Sequence, residues 1–306
     1  MQNKEKIKLS KLNMPSSNLD PLFVTGLIEA EGSFSITKHK DNRAKHKMNI
    51  GLCFRITMLS DETELLNMVK DFFGCGNLSI EDKRGAITFV VRDINSINNI
   101  VIPHFINYPL RGTKHLDFLS FKETTDILNS KKHLTKEGIN EIINISNIMN
   151  SYREFPIEYS PNHTIENNYE YIPIDGNYIN GFIAGDCCLA LNIKDVNFAR
   201  MSLQISQHKN NRLLLLSIAK FFKYPNKIYY HGINSLQITL SGIKIWESVI
   251  FNHFCEYPLH GNKTIRLNKL FIIRELMLNK NHLMKVGRYR QWKPDIKLRV
   301  INIWNS

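Results

Sequence analysis

Strict alternation of apolar and polar residues marks extended segments along much of the chain. Ile50, Leu52, Phe54 and Ile56 fall on one face of one such segment, with Asn49, Cys53, Arg55 and Thr57 on the other. Met201, Leu203 and Ile205 alternate with Arg200, Ser202, Gln204 and Ser206. Leu236, Ile238 and Leu240 alternate likewise with Ser235, Gln237, Thr239 and Ser241. Around these runs the pattern reads helix, two strands, helix, two strands, helices, and it does so twice. The expected fold class is therefore α+β, with antiparallel sheets whose apolar faces are covered by helices packed behind them.

The doubling is visible in the residues themselves. FINYPLRGTK, ending at Lys114, recurs as FCEYPLHGNK, ending at Lys263, and KKHLTKEG (131–138) recurs as NKNHLMKVG (279–287), both at an offset of 149. VTGLIEAEGSF (24–34) aligns with INGFIAGDCCL (179–189) at an offset of 155. The second copy has thus lost six residues, and the loss falls near Lys38 to Lys47, where a polar, basic stretch forms a hairpin tip. This divides the chain into an N-terminal extension (1–15), a first domain (16–150), a linker (151–175) and a second domain (176–306). The linker carries three prolines and no helical period.

Length and composition narrow the function. With 306 residues and 43% apolar content the chain fills two cores, and its formal charge of +12 calls for a polyanionic partner. By segment the charge is +3 for residues 1–150, −4 for the linker and +13 for the remainder. Ile (39), Asn (34) and Lys (27) make up about a third of the chain. All three are read from A/T-rich codons, as in an organelle genome. Five cysteines form neither an even framework nor a CxxC pattern, which predicts free thiols, a reducing compartment and no zinc site. No apolar run is long enough to span a bilayer, and the N-terminus has no signal-peptide pattern, so the reading is a soluble protein with no membrane partner.

The polar faces of the strands are rich in Ser, Thr, Gln, Asn, Arg and Lys and nearly free of acids. Those are the donors and acceptors that read base edges from β-ribbons in the major groove. Alternation nominates Ser35, Thr37, Asn49, Arg55, Asn192, Lys194, Arg200, Ser202, Gln204, Ser235, Gln237 and Thr239 as base-facing. The first helix of each copy carries its acid at the C-terminal end: Glu31 in one, Asp186 in the other. A carboxylate there opposes the helix dipole and becomes reasonable beside a cation. Small residues four apart, Gly26 with Ala30 and Gly181 with Gly185, let these two helices approach closely about a pseudo-twofold axis. Glu31 and Asp186 then lie side by side, a site for hard divalent ions, Mg²⁺ above all. Glu29 lies off that face and its counterpart is Ala184, so it receives no catalytic role.

The motifs GLIEAEGSF and GFIAGDCCL, each opening an αββαββα copy that closes with YPL-x-G-x-K, resemble a single-chain LAGLIDADG homing endonuclease of the intron-encoded mitochondrial type. The resemblance runs from about Asp20 to the C-terminus. It implies a monomer whose two motif helices form the interface. It further implies that β-saddles bind a long, nearly asymmetric duplex DNA site, and that Mg²⁺-dependent hydrolysis of both strands leaves short 3′ overhangs. On it, Glu31 and Asp186 become metal-binding acids, Lys114 and Lys263 lie near the scissile phosphates, and Gln207 orders water opposite Met58 in the first copy.

Cys187 follows Asp186 where Gly32 follows Glu31. If that position needs φ above zero, a side chain there costs roughly 1–2 kcal/mol. Asp is also one methylene shorter than Glu, so the second site is expected to hold metal poorly and to nick or bind without cutting. The rival function is an RNA-binding maturase that assists splicing of its own group I intron, because a basic surface suits either polyanion.

Overall fold

Asp20 accepts the Leu22 N–H at 2.8 Å and Pro21 supplies a preset φ at the first helical position, so helix α1 (Pro21–Glu31) starts there. The structure is a computed structural model, and it describes residues 18–43, 48–153, 173–194, 198–224, 228–277, 281–286 and 289–306. Helix α1 runs straight into β1 (Gly32–Lys40), which pairs antiparallel with β2 (Met48–Leu59). Then come α2 (Thr63–Phe73), β3 (Asn77–Glu81), β4 (Ala86–Val91), a helical run over 94–107, α3 (Lys114–Asn129) and α4 (Lys136–Asn147).

The second repeat follows the same course. Asp175 caps α5 (Gly176–Gly185) by accepting the Asn177 N–H at 2.7 Å. Strands β5 (Cys188–Lys194) and β6 (Phe198–His208), helix α6 (Arg212–Phe221), strands β7 (Ile228–Tyr230) and β8 (Ser235–Ser241), and helix α7 (Lys263–Met277) complete it. A two-stranded hairpin of β9 (Leu283–Val286) and β10 (Tyr289–Trp292) and helix α8 (Pro294–Asn305) close the chain. Each repeat builds one four-stranded sheet, in the orders β1-β2-β4-β3 and β5-β6-β8-β7. Even a π-helical turn recurs, at Ile97–Val101 and Trp246–Ile250. The first hairpin has nine ladder pairs in the first repeat and seven in the second, where six residues are missing. The N-terminal extension, and the linker between Arg153 and Pro173, lie outside the described residues.

The alternation read from the sequence holds in register. Leu52, Phe54 and Ile56 are buried in a cluster with Phe34, Phe89 and Phe105, while Asn49, Arg55 and Thr57 are exposed; Cys53 shares their face but is buried, at 3% exposure. Met201, Leu203, Ile205, Leu236, Ile238 and Leu240 are buried in the second sheet. Each such residue withdrawn from water contributes about 1.5–3 kcal/mol before conformational entropy is subtracted.

The repeats meet through α1 and α5, whose backbones touch. A Cβ at Gly26 would lie 1.9 Å from the Tyr178 carbonyl oxygen, and one at Gly181 would lie 1.8 Å from that of Phe23. Only glycine allows this approach, and the two contacts mirror each other across the pseudo-twofold axis. Behind each helix stands a buried histidine. His104 Nε2 lies 3.0 Å from Thr25 Oγ1, and His253 Nε2 donates to Asn180 Oδ1 at 2.6 Å. Burial pushes these imidazoles down to about 4 and about 3 respectively, so both are neutral at physiological pH.

Candidate active site

Helix α1 includes Glu31 as its last residue, whereas α5 ends at Gly185 and leaves Asp186 as its cap, at φ −113° and ψ 63°. Relative to its acid, α5 thus ends one residue earlier than α1. Gly185 packs on the opposite helix: a Cβ there would be 2.5 Å from Ala30 Cβ and 2.9 Å from Glu31 Cγ. The two acids therefore share one place, where each motif helix turns into its sheet. Burial raises the pKa of both carboxyls, and Asp186 raises that of Glu31 further; Lys263 and Lys114 oppose the shift in each case. Among the described residues neither acid forms an ion pair within 4.0 Å.

The two lysines are spoken for. Lys114 Nζ donates to the carbonyls of Ile28 (2.9 Å), Glu29 (2.8 Å) and Ala30 (3.3 Å), and Lys263 Nζ donates to those of Ile183 (3.0 Å) and Gly185. Each ammonium thus closes the C-terminal end of its own motif helix, adding a donor to last-turn carbonyls, among them that of Ile28, which also accepts the Gly32 N–H, and offsetting the dipole that the acids oppose. Desolvation lowers the pKa of both lysines, countered for Lys114 first by Glu29 and then by Glu31.

The YPL-x-G-x-K loops that deliver these lysines are pinned by backbone donors. Arg111 and Gly112 N–H donate to Glu29 Oε2 at 2.7 and 3.0 Å, and Tyr178 of the other repeat donates its hydroxyl to the same oxygen at 2.9 Å. Each loop also docks on the opposite repeat. Thr113 N–H donates to Asn211 Oδ1 at 2.8 Å, and at the matching position Asn262 N–H reaches the Glu62 carboxylate at 3.1 and 3.2 Å. Glu29 therefore has a structural task that its sequence position did not announce.

Gln207 sits on the core side of β6, where Met201, Leu203 and Ile205 precede it. Its Nε2 donates to Asp186 Oδ2 in a short hydrogen bond, and its Oε1 accepts from Asn211 Nδ2 at 2.7 Å. Met58 keeps the apolar rhythm at the equivalent place in β2. The break in that rhythm at Gln207 is the local signal for a polar side chain aimed at the acids.

The expected backbone strain at Cys187 is absent. Gly32 has φ −76°, ordinary extended backbone, and Cys187 is not among the residues with positive φ. Glycine is needed at 32 for room, since a Cβ would lie 2.5 Å from Ile28 Cγ2. Desolvation pushes the Cys187 thiol up to about 12, so it stays protonated and inert at neutral pH.

The sheet registers put the nominated base-facing residues on one face. Ser35 pairs with Cys53, Thr37 with Gly51, Asn192 with Arg200 and Gln204 with Thr239. Asn49, Arg55, Asn192 and Arg200 are exposed; Ser35, Thr37, Gln204, Ser235, Gln237 and Thr239 are partly so. Ser202 is a correction. At 5% exposure it lies under Gln204, whose Nε2 reaches its hydroxyl at 3.3 Å. The side chain of Lys194 lies outside the described residues. The same register puts Thr57 and Ser206 on that face, as alternation did, and adds Ser33, His39, Thr88, His208 and Tyr229, which the strand ends and the short partner strands hid from alternation.

Comparison with known proteins agrees with this architecture. A curated relative in Neurospora crassa, "Probable intron-encoded endonuclease 2", is 30% identical over 286 residues; the match covers 89% of this chain and 63% of the relative. The solved I-LtrWI LAGLIDADG homing endonuclease bound to target DNA superposes with a TM-score of 0.80 at 24% identity, covering 93% of this chain and 96% of that one. I-SmaMI bound to uncleaved DNA in the presence of calcium ions gives 0.81 at 23% identity, covering 94% and 98%. These two likenesses establish the fold. A family model described as LAGLIDADG endonuclease matches residues 24–125 and 179–273, once per repeat, and the chain belongs to that family.

Proposed function

We propose that the chain is a site-specific endonuclease of double-stranded DNA. Its two β-saddles bind a long, nearly asymmetric target in the major groove, and the Glu31–Asp186 pair serves hydrolysis of both strands with short 3′ overhangs. The single observation that carries this reading is the meeting of two half-buried carboxylates without a paired base at the ends of glycine-packed helices, each helix leading into an acid-poor polar sheet. One chain supplies both acids and both saddles, so a monomer suffices. The Ile, Asn and Lys bias and the intron-encoded relative support a mitochondrial gene as the source.

The donor set fits a hard divalent cation. Glu31 and Asp186 offer oxygen ligands without a paired base, and the described residues contain no cluster of three or more His, Cys, Asp or Glu. Glu31 and Asp186 would hold such a cation, and their all-oxygen donor set suits Mg²⁺. Mg²⁺ at that place supplies Lewis-acid stabilisation of the phosphodiester and a water of lowered pKa. The protein's own groups do the rest. Lys114 and Lys263 fix the helix ends and bring positive potential beside the acids. Gln207 orients at Asp186. Arg55, Asn49, Asn192, Arg200, Gln204, Gln237 and Thr239, with Ser35, Thr37, Lys194 and Ser235, meet bases or phosphates, and Ser202 supports Gln204 from beneath.

The test is cleavage of a duplex selected by binding from a randomised pool. With Mg²⁺ both strands are cut and the ends sequence as short 3′ overhangs; with chelator the duplex is bound and left intact. Tight binding of group I intron RNA with no scission of any selected duplex overturns the endonuclease reading in favour of a maturase.

A further inference from the structure

The hydrogen bonds at Asp186 form a chain whose direction is set at its far end. The Thr113 backbone N–H can only donate, so the Asn211 atom facing it at 2.8 Å is the carbonyl Oδ1. The Nδ2 of Asn211 is thereby turned to Gln207, whose Oε1 accepts at 2.7 Å, and the Nε2 of Gln207 is left to face Asp186. Amide orientation is usually ambiguous, but here a single donor fixes two amides in series. The Thr113 loop belongs to the first repeat, and Asn211, Gln207 and Asp186 belong to the second. The chain therefore crosses the interface from the loop that carries Lys114.

The pseudo-symmetric path toward Glu31 is broken at both steps. Asn262 N–H meets the Glu62 carboxylate, which has no proton to pass on, and Met58 stands where Gln207 would. Among the described residues one acid is held by an oriented side-chain donor and the other is not.

We propose that Asn211 is a positioning residue that locks the Gln207 amide with its NH₂ toward Asp186. The absence of such a relay at Glu31 then makes the two strand cuts proceed at unequal rates. This rests on the endonuclease reading above. Asn211 touches no reacting atom; it acts through Gln207, whose amide, once released, is free to turn Oε1 toward Asp186.

The experiment compares the parent with Asn211→Leu, Gln207→Met and the double variant, on a binding-selected duplex labelled on both strands, in single turnover with Mg²⁺. Asn211→Leu is expected to slow one strand by about tenfold, the size of one lost orienting hydrogen bond, with affinity for the duplex unchanged within about twofold. Gln207→Met slows the same strand at least as much, and the double variant is no slower than Gln207→Met. Equal slowing of both strands, or losses that multiply in the double variant, overturn the relay. A second readout needs no cleavage. The Gln207 side-chain amide, assigned by its absence from the Gln207→Met spectrum, exchanges slowly with solvent in the parent and quickly in Asn211→Leu. An amide signal unchanged between them refutes the lock directly. If the parent cuts no duplex while the exchange difference is present, the endonuclease reading fails and the lock stands.

Discussion

Alanine at Gly181 separates the two motif helices. The added Cβ would lie 1.8 Å from the Phe23 carbonyl oxygen, 2.7 Å from its carbon and 2.8 Å from the Leu27 nitrogen. Non-bonded carbon and oxygen need more than about 3 Å, so the backbones must part by over ~1 Å. The obstructing atoms are main chain and cannot rotate aside. A gap of that size forfeits about a quarter to a half of the dispersion well at each contact along the interface. The residues at the contact, Phe23, Leu27, Tyr178 and Phe182, are all buried. The cost is about 3 kcal/mol or more, at the upper end for overpacking. The same displacement moves Glu31 away from Asp186, and ~1 Å at a reacting centre costs on the order of a hundredfold in rate. Gly26→Ala meets the mirror-image obstruction at 1.9 Å from Tyr178 oxygen and should match it. Gly185→Ala is the internal control. Its Cβ meets Ala30 Cβ at 2.5 Å, which is fixed to its backbone, and Glu31 Cγ at 2.9 Å, which can rotate; the overlap is smaller than the 1.8 Å approach at Gly181, so stability falls by about 1–2 kcal/mol while Glu31 is pushed off its position. Urea midpoints and single-turnover cleavage measure both effects. If Gly26→Ala and Gly181→Ala lose less stability than Gly185→Ala, the interface does not rest on backbone contact at these glycines.

Three further outcomes follow from the same geometry. Lys114→Met and Lys263→Met each leave buried helix-end carbonyls without a donor and should lower stability by about 1–3 kcal/mol; unchanged thermal midpoints would mark them as ordinary lysines. His104 and His253 are held below their unfolded value of about 6.5, so the unfolded chain binds more protons as pH drops. Their contribution is complete above pH ~6.5 and is lost toward the folded values, about 2 kcal/mol per histidine by pH ~5. A denaturation midpoint that holds or rises from pH 7 to 5 would contradict this; Glu31, Asp186 and Glu62, with raised pKa values, push the other way. Duplex affinity should fall by roughly 10³-fold or more between about 50 and 200 mM salt, as many phosphate contacts require, and a flat response would exclude the saddles as the binding surface.

What was legible in the sequence was what repeats or alternates. The 149- and 155-residue offsets placed both helices, both sheets and both acids, because duplication preserves packing positions. Alternation assigned sheet faces correctly along β2, β6 and β8. It failed at Ser202, where exposure depends on the Gln204 side chain lying over it and not on strand parity. Glu29 was invisible because its partners, Arg111, Gly112 and Tyr178, are 82, 83 and 149 residues away and two of them offer only backbone N–H. The lysines were found by motif, but their hold on helix-end carbonyls depends on loop geometry that carries no residue signature. Cys187 misled because a glycine was read as a need for positive φ when it answers a contact with Ile28.

The central claim is that Glu31 and Asp186 together make the cleavage centre, and single-carboxylate variants test it most directly. Glu31→Gln and Asp186→Asn keep the shape of each side chain and remove its charge. On a binding-selected duplex with Mg²⁺, each should reduce double-strand scission by a hundredfold or more, on the order expected for losing a transition-state interaction, while affinity for the duplex is retained. Scission by either variant at the parent's rate would contradict the account.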